Sequence, residues 1–301
     1  MSPKEKKTVL ALGFFDGVHL GHAALLRRTA ERARELSAEA AVMTFDTHPD
    51  TLVRGETVPL ITSAPDRAAL IREGFGIDRV EFFRFTEETM RIPWQDFLGM
   101  ISEKLQTVHF VVGYDFRFGW KGEGNAEKLT DYCREHGLGC DVIGKVTREG
   151  VTVSSTAIRE MLRRGDMRTA AEFLGHPHIL TDTVRHGQRL GRQLGRPTVN
   201  MQFAPGVLVP RFGVYATRLH TDGGVFPAVT NVGVRPTVSL TGEVTVESHI
   251  LDYDGNLYGK TVRLDFLDFL RDEQRFPSPE ALSEQIALDT LAARKRWEEG
   301  Q

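Results

Sequence analysis

Cysteine is scarce: Cys133 and Cys140 are the two in 301 residues. That is too few for a disulfide framework, and both read as reduced thiols of a cytosolic protein. They flank His136, but a fourth ligand and a CxxC pair are missing, so the trio makes a poor zinc site. No apolar run reaches the roughly 18 residues of a membrane span. Residues 1–7 are polar and charged, unlike a secretory leader. A cytoplasmic location with no membrane partner is expected. Net charge is only −3 and no face reads as a basic stripe, so no nucleic-acid partner is expected. GxxxxGK[ST] is absent, which excludes a P-loop kinase. What is present is 41% hydrophobic and 26% charged residues, the balance of a globular protein with a sizeable core. A length of 301 residues fits one large domain or two ordinary ones.

The first half alternates strand-like and helix-like segments. Strands are expected over 8–15, 40–45, 80–85, 107–112 and 139–146. Helices are expected over 22–36, 65–74, 94–104 and 127–136. This rhythm predicts a parallel sheet with helices on both faces. Two further helices are expected over 155–164 and 167–174, broken by Gly175-His176-Pro177. From about Leu180 short segments alternate apolar and polar residues over 207–219, 224–232, 243–253 and 260–269. That pattern predicts an antiparallel sheet or closed barrel, followed by a helix over 278–297. The domains are expected to cover 1–176 and 177–301.

The segment Gly13-Phe14-Phe15-Asp16-Gly17-Val18-His19-Leu20-Gly21-His22 carries the most chemistry. It joins a buried strand to a helix. Histidines at i and i+3 share one helix face. A helix start adds free N–H groups and the positive end of the macrodipole, which suits a polyphosphate. Gly13, Gly17 and Gly21 allow a tight turn close to a ligand.

Other polar groups end neighbouring strands. Thr44-Phe45-Asp46-Thr47-His48-Pro49 follows the second strand, and Gly113-Tyr114-Asp115-Phe116-Arg117-Phe118-Gly119 follows a later one. Ligands of parallel sheets bind at these carboxyl ends. Ser154-Ser155-Thr156-Ala157-Ile158-Arg159 opens a helix with hydroxyls and sets an arginine one turn on. Alone, that reads first as an ordinary N-cap followed by a surface arginine. In the second half, Gly187, Gly191 and Gly195 lie among arginines before Pro197-Thr198-Val199-Asn200. Alone, this reads first as a Gly-rich hairpin loop with a solvated basic face, and only second as a phosphate cradle. Thr198 offers an oxygen to Mg²⁺. Glu247, in an alternating strand, suits a general base towards an alcohol, or a solvent-facing strand position.

Together these motifs resemble, in order and over nearly the whole chain, the bacterial bifunctional riboflavin kinase/FAD synthetases. The resemblance rests on the stretches 13–22, 44–49, 113–119 and 154–159, and on GxxxGxxLGxPTxN, Asn231-Val232-Gly233-Val234-Arg235-Pro236-Thr237, the strand glutamate Glu247, Leu257-Tyr258-Gly259-Lys260 and Leu270-Arg271-Asp272-Glu273. It implies a Rossmann-like nucleotidyltransferase domain, then a six-stranded riboflavin kinase-like β-barrel with a C-terminal helix. It implies riboflavin phosphorylation to FMN and FMN adenylylation to FAD, with ATP as co-substrate and Mg²⁺ as cofactor.

In the first domain the resemblance implies that Gly13, Phe15, Asp16, Gly17, His19, His22, Ser155, Thr156 and Arg159 bind ATP, His19 and His22 stabilising charge as pyrophosphate leaves. Asp46, His48, Pro49, Asp115 and Phe116 would sit near FMN, ATP or metal. In the second, Gly187, Gly191, Gly195, Thr198 and Asn200 would bind ATP, with Thr198 and Asn200 on Mg²⁺. Asn231, Arg235, Glu247 and Arg271 would bind flavin, with Glu247 the catalytic base. A homo-oligomer is compatible with the family. Phe14 stands where the family often has Asn or a smaller residue, Thr47 where FDPHP has Pro, and Val199 where PTAN has Ala; the position of Asp115 can be Asn. Competing readings are a riboflavin kinase with a silent first domain, a non-catalytic flavin or nucleotide sensor, and an adenylyltransferase for another mononucleotide or pantetheine phosphate.

Overall fold

The computed structural model describes residues 6–55, 57–185, 198–235 and 243–299. The chain forms two compact units, Met1–Ser154 and Ser155–Gln301.

The first unit runs β1 (Thr8–Leu12), α1 (Leu20–Glu35), β2 (Glu39–Phe45), α2 (Pro49–Arg54), α3 (Ala64–Phe75), β3 (Arg79–Phe83), α4 (Trp94–Leu105), β4 (Thr107–Gly113), α5 (Ala126–Glu135) and β5 (Gly139–Ile143), then a small hairpin, β6 (Thr147–Arg148) and β7 (Val151–Thr152). The five main strands are parallel, in the order β3-β2-β1-β4-β5. β1 is buried along its length because both its faces are covered. Leu10 and Leu12 pack with Phe97, Leu98 and Leu129 of α4 and α5. Val9 and Ala11, on the alternate face, pack with Leu26 and Ile71 of α1 and α3. The chain winds outward from β1 through β2 to β3, then returns to β4 on the other side of β1. That reversal leaves a crevice at the carboxyl ends of β1 and β4, the place for a ligand in such sheets.

Alternation predicted this half well, with two exceptions. Helix α2 and the hairpin β6–β7 are too short to carry a readable period. Helix α1 begins at Leu20, so His19 is its N-cap and His22 lies in its first turn, earlier than the expected start at 22.

The second unit opens with α6 (Ser155–Arg164) and α7 (Met167–Leu174). A barrel sheet follows, from β8 (His178–Thr183), β9 (Thr198–Met201), β10 (Gly213–Thr221), β11 (Gly224–Arg235), β12 (Glu243–Ile250) and β13 (Thr261–Arg271), and the chain ends in α8 (Pro279–Glu299). The six strands are antiparallel, in the order β8-β13-β10-β11-β12-β9. A bridge between Arg185 and Asn200 joins the two edge strands. Val214 and Ala216 pack beneath Ala293 of α8. The opposite face turns Tyr215, Thr217, Thr230 and Ser248 into the barrel. There the buried hydroxyls satisfy one another: Thr217 meets Thr230 at 2.7 Å, and Thr230 meets Ser248 at 2.7 Å.

The division at 154/155 differs from the boundary expected at 176/177. Helices α6 and α7 pack on the barrel. The Arg211 N–H donates to the Leu162 carbonyl at 3.1 Å. Arg168 pairs with Asp268. Gly165, at φ 80°, turns the chain between the helices where a Cβ would press on Phe269 at 3.1 Å.

Candidate active sites

In the first unit the turn after β1 is held in an unusual conformation. Phe15 (φ 55°), Gly17 (φ 79°) and Val18 (φ 43°) all lie in the left-handed region. For a phenylalanine and a β-branched valine this costs roughly 1–3 kcal/mol each. Such strain persists only where the surroundings over-determine the turn, and here they do. Phe15 is fully buried. The buried Asp16 carboxylate accepts from the N–H groups of Ile61 (2.9 Å) and Thr62 (3.2 Å). The Gly17 N–H donates to the Thr62 hydroxyl at 3.1 Å. Asp16, expected to touch ATP, is thus tied to the loop before α3.

The turn delivers the two histidines as a stacked pair, ring centroids 3.6 Å apart and 12° from parallel. His19 Nδ1 accepts the His22 backbone N–H at 3.3 Å, so neutral His19 carries its ring proton on Nε2. His22 Nδ1 is buried and has no hydrogen-bond partner among the described residues. Burial, then His19, then the Arg67 guanidinium hold the His22 pKa well below the usual histidine value. His22 is therefore neutral at pH 7, a hydrogen-bonding group rather than a fixed cation.

The remaining sequence candidates of this unit line the same strand ends. His48 caps α2, its Nδ1 accepting the Asp50 N–H at 3.1 Å, with Pro49 at the first helical position. Exposed Asp46 accepts the Phe85 N–H at 3.0 Å. Asp115 reaches back over Gly113, where a Cβ would lie 3.1 Å from its Oδ1. Phe116 stacks on Phe118 at 5.6 Å. Gly13 lies against the Phe15 ring, and Gly21 beside the Val153 carbonyl.

Ser155, Thr156 and Arg159 belong to the second unit, on α6, and Arg159 is buried there. Because α6 starts at Ser155, the cap position falls to Ser154, one residue before the expected capping hydroxyls.

Sequence reasoning missed Arg67. It is fully buried, and its Nη1 donates to the carbonyls of Phe14 (3.0 Å) and Phe45 (2.9 Å) and to the Thr44 hydroxyl (2.9 Å). A cation four residues before Ile71, in the apolar stripe of α3, was the available signal.

The second unit arranges its candidates in a row. Strand register sets Arg271 opposite Val214, Val214 opposite Asn231, Asn231 opposite Glu247, and Glu247 opposite Asn200. Opposed residues share a face, so Asn231, Glu247 and Asn200 stand side by side. Thr198, two residues before Asn200, points the same way and lies opposite His249. At one end of the row the Asn231 amide donates to Glu273 at 3.0 Å. Gly233 leaves room for that carboxylate, since a Cβ there would meet Glu273 Oε1 at 2.2 Å. Arg271 forks onto Asp289 of α8 (Nη2–Oδ2 2.8 Å) and donates to the Asp272 carbonyl at 3.0 Å. The fork fixes the guanidinium rather than leaving it loose. Gly187, Gly191 and Gly195 lie outside the described residues, as does the side chain of Arg235.

Residues 1–157 match the family model described as FAD synthetase, and residues 174–297 the model described as riboflavin kinase. A bifunctional riboflavin kinase/FMN adenylyltransferase of Pseudomonas fluorescens is 38% identical, over 98% of this chain and 94% of its own. The proteins of the same description from Escherichia coli K12 (36%; 95% and 92%) and Bacillus subtilis (32%; 96% and 92%) are likewise similar end to end. A crystal structure from Streptococcus pneumoniae, titled a macrolide-efflux protein, shares the fold with a TM-score of 0.85 at 27% identity, over 97% of this chain and 95% of that one. In the present chain no described helix is long and apolar enough to cross a membrane.

Proposed function

The chain belongs to the family of bifunctional riboflavin kinase/FMN adenylyltransferases, and we propose that each unit supplies the reacting groups for one of its two reactions. The protein phosphorylates riboflavin to FMN and adenylylates FMN to FAD, with ATP as substrate of both steps. The observation that carries the division is the placement of Glu247 and the stacked histidines in different units.

In the kinase step Glu247 takes the proton of the ribityl 5′-hydroxyl. That oxygen attacks the γ-phosphorus and ADP leaves. Asn231, held by Glu273, and Arg271, held by Asp289, orient the flavin side, to which Arg235 is also assigned. Thr198 and Asn200 suit Mg²⁺, because a hydroxyl and an amide oxygen on one face beside a carboxylate are the hard donors it prefers. Mg²⁺ supplies neutralisation of phosphate charge. Gly187, Gly191 and Gly195 are assigned to backbone contact with the ATP phosphates.

In the adenylylation step an oxygen of the FMN phosphate attacks the α-phosphorus of ATP and pyrophosphate leaves. The nucleophile is already an anion, so positioning and charge stabilisation do most of the work. His19 donates from Nε2, and neutral His22 offers the single N–H of its ring. Asp46, His48, Asp115 and Phe116 are assigned to the FMN side.

Glu247→Gln tests the division. It should abolish FMN formation from riboflavin while FAD formation from supplied FMN continues, followed by chromatography of the flavins. Loss of both would refute separate sites.

A further inference from the structure

The strained turn that aims His19 and His22 is fastened on one side by its own Asp16 and Gly17, and its entrance at Phe14 is fastened by a residue from outside it. Phe14 ends its carbonyl on two donors, the Thr44 hydroxyl at 2.7 Å and Arg67 Nη1 at 3.0 Å. The same Nη1 holds the Phe45 carbonyl at 2.9 Å. One nitrogen therefore ties the exit of β1 to the exit of β2, at the rim where the histidines sit. The guanidinium also lies over the Phe14 ring, 4.5 Å from its centroid, and that ring meets His48 edge-on at 4.8 Å.

This is a costly way to fasten two carbonyls. Arg67 is fully buried, and its Nε and Nη2 have no hydrogen-bond partner among the described residues. Unpaired donors on a buried cation are strongly unfavourable, and attraction to buried Asp16 offsets only part of that. A residue chosen for stability alone would be apolar here. The cost is intelligible if the cation serves the reaction. Phe14 presents both its main-chain carbonyl and its ring to Arg67.

We propose that Arg67 is a positioning residue for adenylyl transfer, locking the turn over 13–18 so that the stacked histidines meet the ATP phosphates. The proposal rests on the assignment of His19 and His22 to adenylylation. Arg67 acts through the turn and through the field it adds beside His22, a field shared with His19 and Asp16.

The test compares Arg67→Met, Arg67→Lys and His19→Ala in the full chain, with FMN and ATP supplied. Arg67→Met should lower kcat for FAD formation at least tenfold, with a change in KM for ATP under threefold. Lysine keeps the charge and reaches one carbonyl, so Arg67→Lys should recover at least a third of the lost kcat at a melting temperature equal to that of Arg67→Met. Riboflavin phosphorylation should stay within twofold throughout. Unchanged kcat in Arg67→Met beside a large loss in His19→Ala would overturn the positioning role alone. Unchanged kcat in His19→Ala would overturn the assignment it rests on. A loss in Arg67→Met matched by falling kinase activity, or recovered in Arg67→Lys only in step with melting temperature, would reduce Arg67 to a structural part.

Discussion

At the scale of single residues, the proposed role of the histidine pair depends on stacking and on a neutral His22. Burial, the His19 imidazole and the Arg67 guanidinium disfavour a proton on His22, so in the proposed role it would meet the phosphates as a hydrogen-bonding group. Replacing His19 or His22 by Ala should cut FAD synthesis by about 10²-fold, the usual loss for one electrostatic contact to a developing charge. Steady-state assays with FMN supplied measure it, and undiminished activity would remove the phosphate role. These histidines were legible in the sequence because a local strand–turn–helix motif carries them. Arg67 was not, because its partners Phe14, Thr44 and Phe45 lie 22 to 53 positions away and meet it only once the sheet forms. Asp16 is the reverse case. Its place within the motif suggested a ligand, yet its carboxylate holds the backbone at Ile61 and Thr62.

At the scale of elements, the proposed kinase site is a property of register. Asn200, Glu247 and Asn231 come from three strands and line up because antiparallel pairing opposes them. Alternation in the sequence showed the strands of Asn231 and Glu247 but not the short strand of Asn200, and pairing partners were beyond its reach, so the row was not legible. The Glu273 carboxylate depends on the row too, since only a glycine at 233 admits it beside Asn231. Gly233→Ala should push this flexible side chain off Asn231 at little cost to the fold. Riboflavin phosphorylation should fall several-fold with the melting temperature nearly unchanged, and FAD formation from FMN should persist. A variant with full kinase activity would show that Glu273 is dispensable. Helices α6 and α7 were legible as elements, although their allegiance was not. The contacts that bind them to the barrel, Arg211 to Leu162 and Arg168 to Asp268, are again non-local.

At the scale of the whole molecule, those contacts decide where a kinase fragment must begin. A fragment over 155–301 should melt cooperatively and phosphorylate riboflavin. One over 177–301, lacking α6 and α7, exposes Phe269 and should be markedly less stable in denaturant titration. Equal stability would contradict the packing described for these helices. The barrel core also sets an acid limit. His178 lies buried among aromatic rings with neither ring nitrogen hydrogen-bonded to any described residue, and burial, helped by His176, pushes its pKa down to about 3. The folded form keeps it neutral, while the unfolded chain takes up a proton near pH 6.5. Stability contributed by the neutral form is therefore present above pH 6.5 and is lost as pH falls towards 3, by at most about 1.4 kcal/mol per unit. His178→Phe should flatten the fall in melting temperature between pH 6.5 and pH 4, and an unchanged slope would assign the acid sensitivity elsewhere.

The central claim is that two chemistries reside in separate groups of one chain, and mixing two crippled chains tests it most directly. Glu247→Gln and His22→Ala proteins are each supplied with riboflavin, ATP and Mg²⁺, alone and together, and the flavins are separated over time. Glu247→Gln alone should leave riboflavin untouched, His22→Ala alone should accumulate FMN, and the mixture should make FAD through released FMN. FAD absent from the mixture, or FMN absent with His22→Ala alone, would contradict the account.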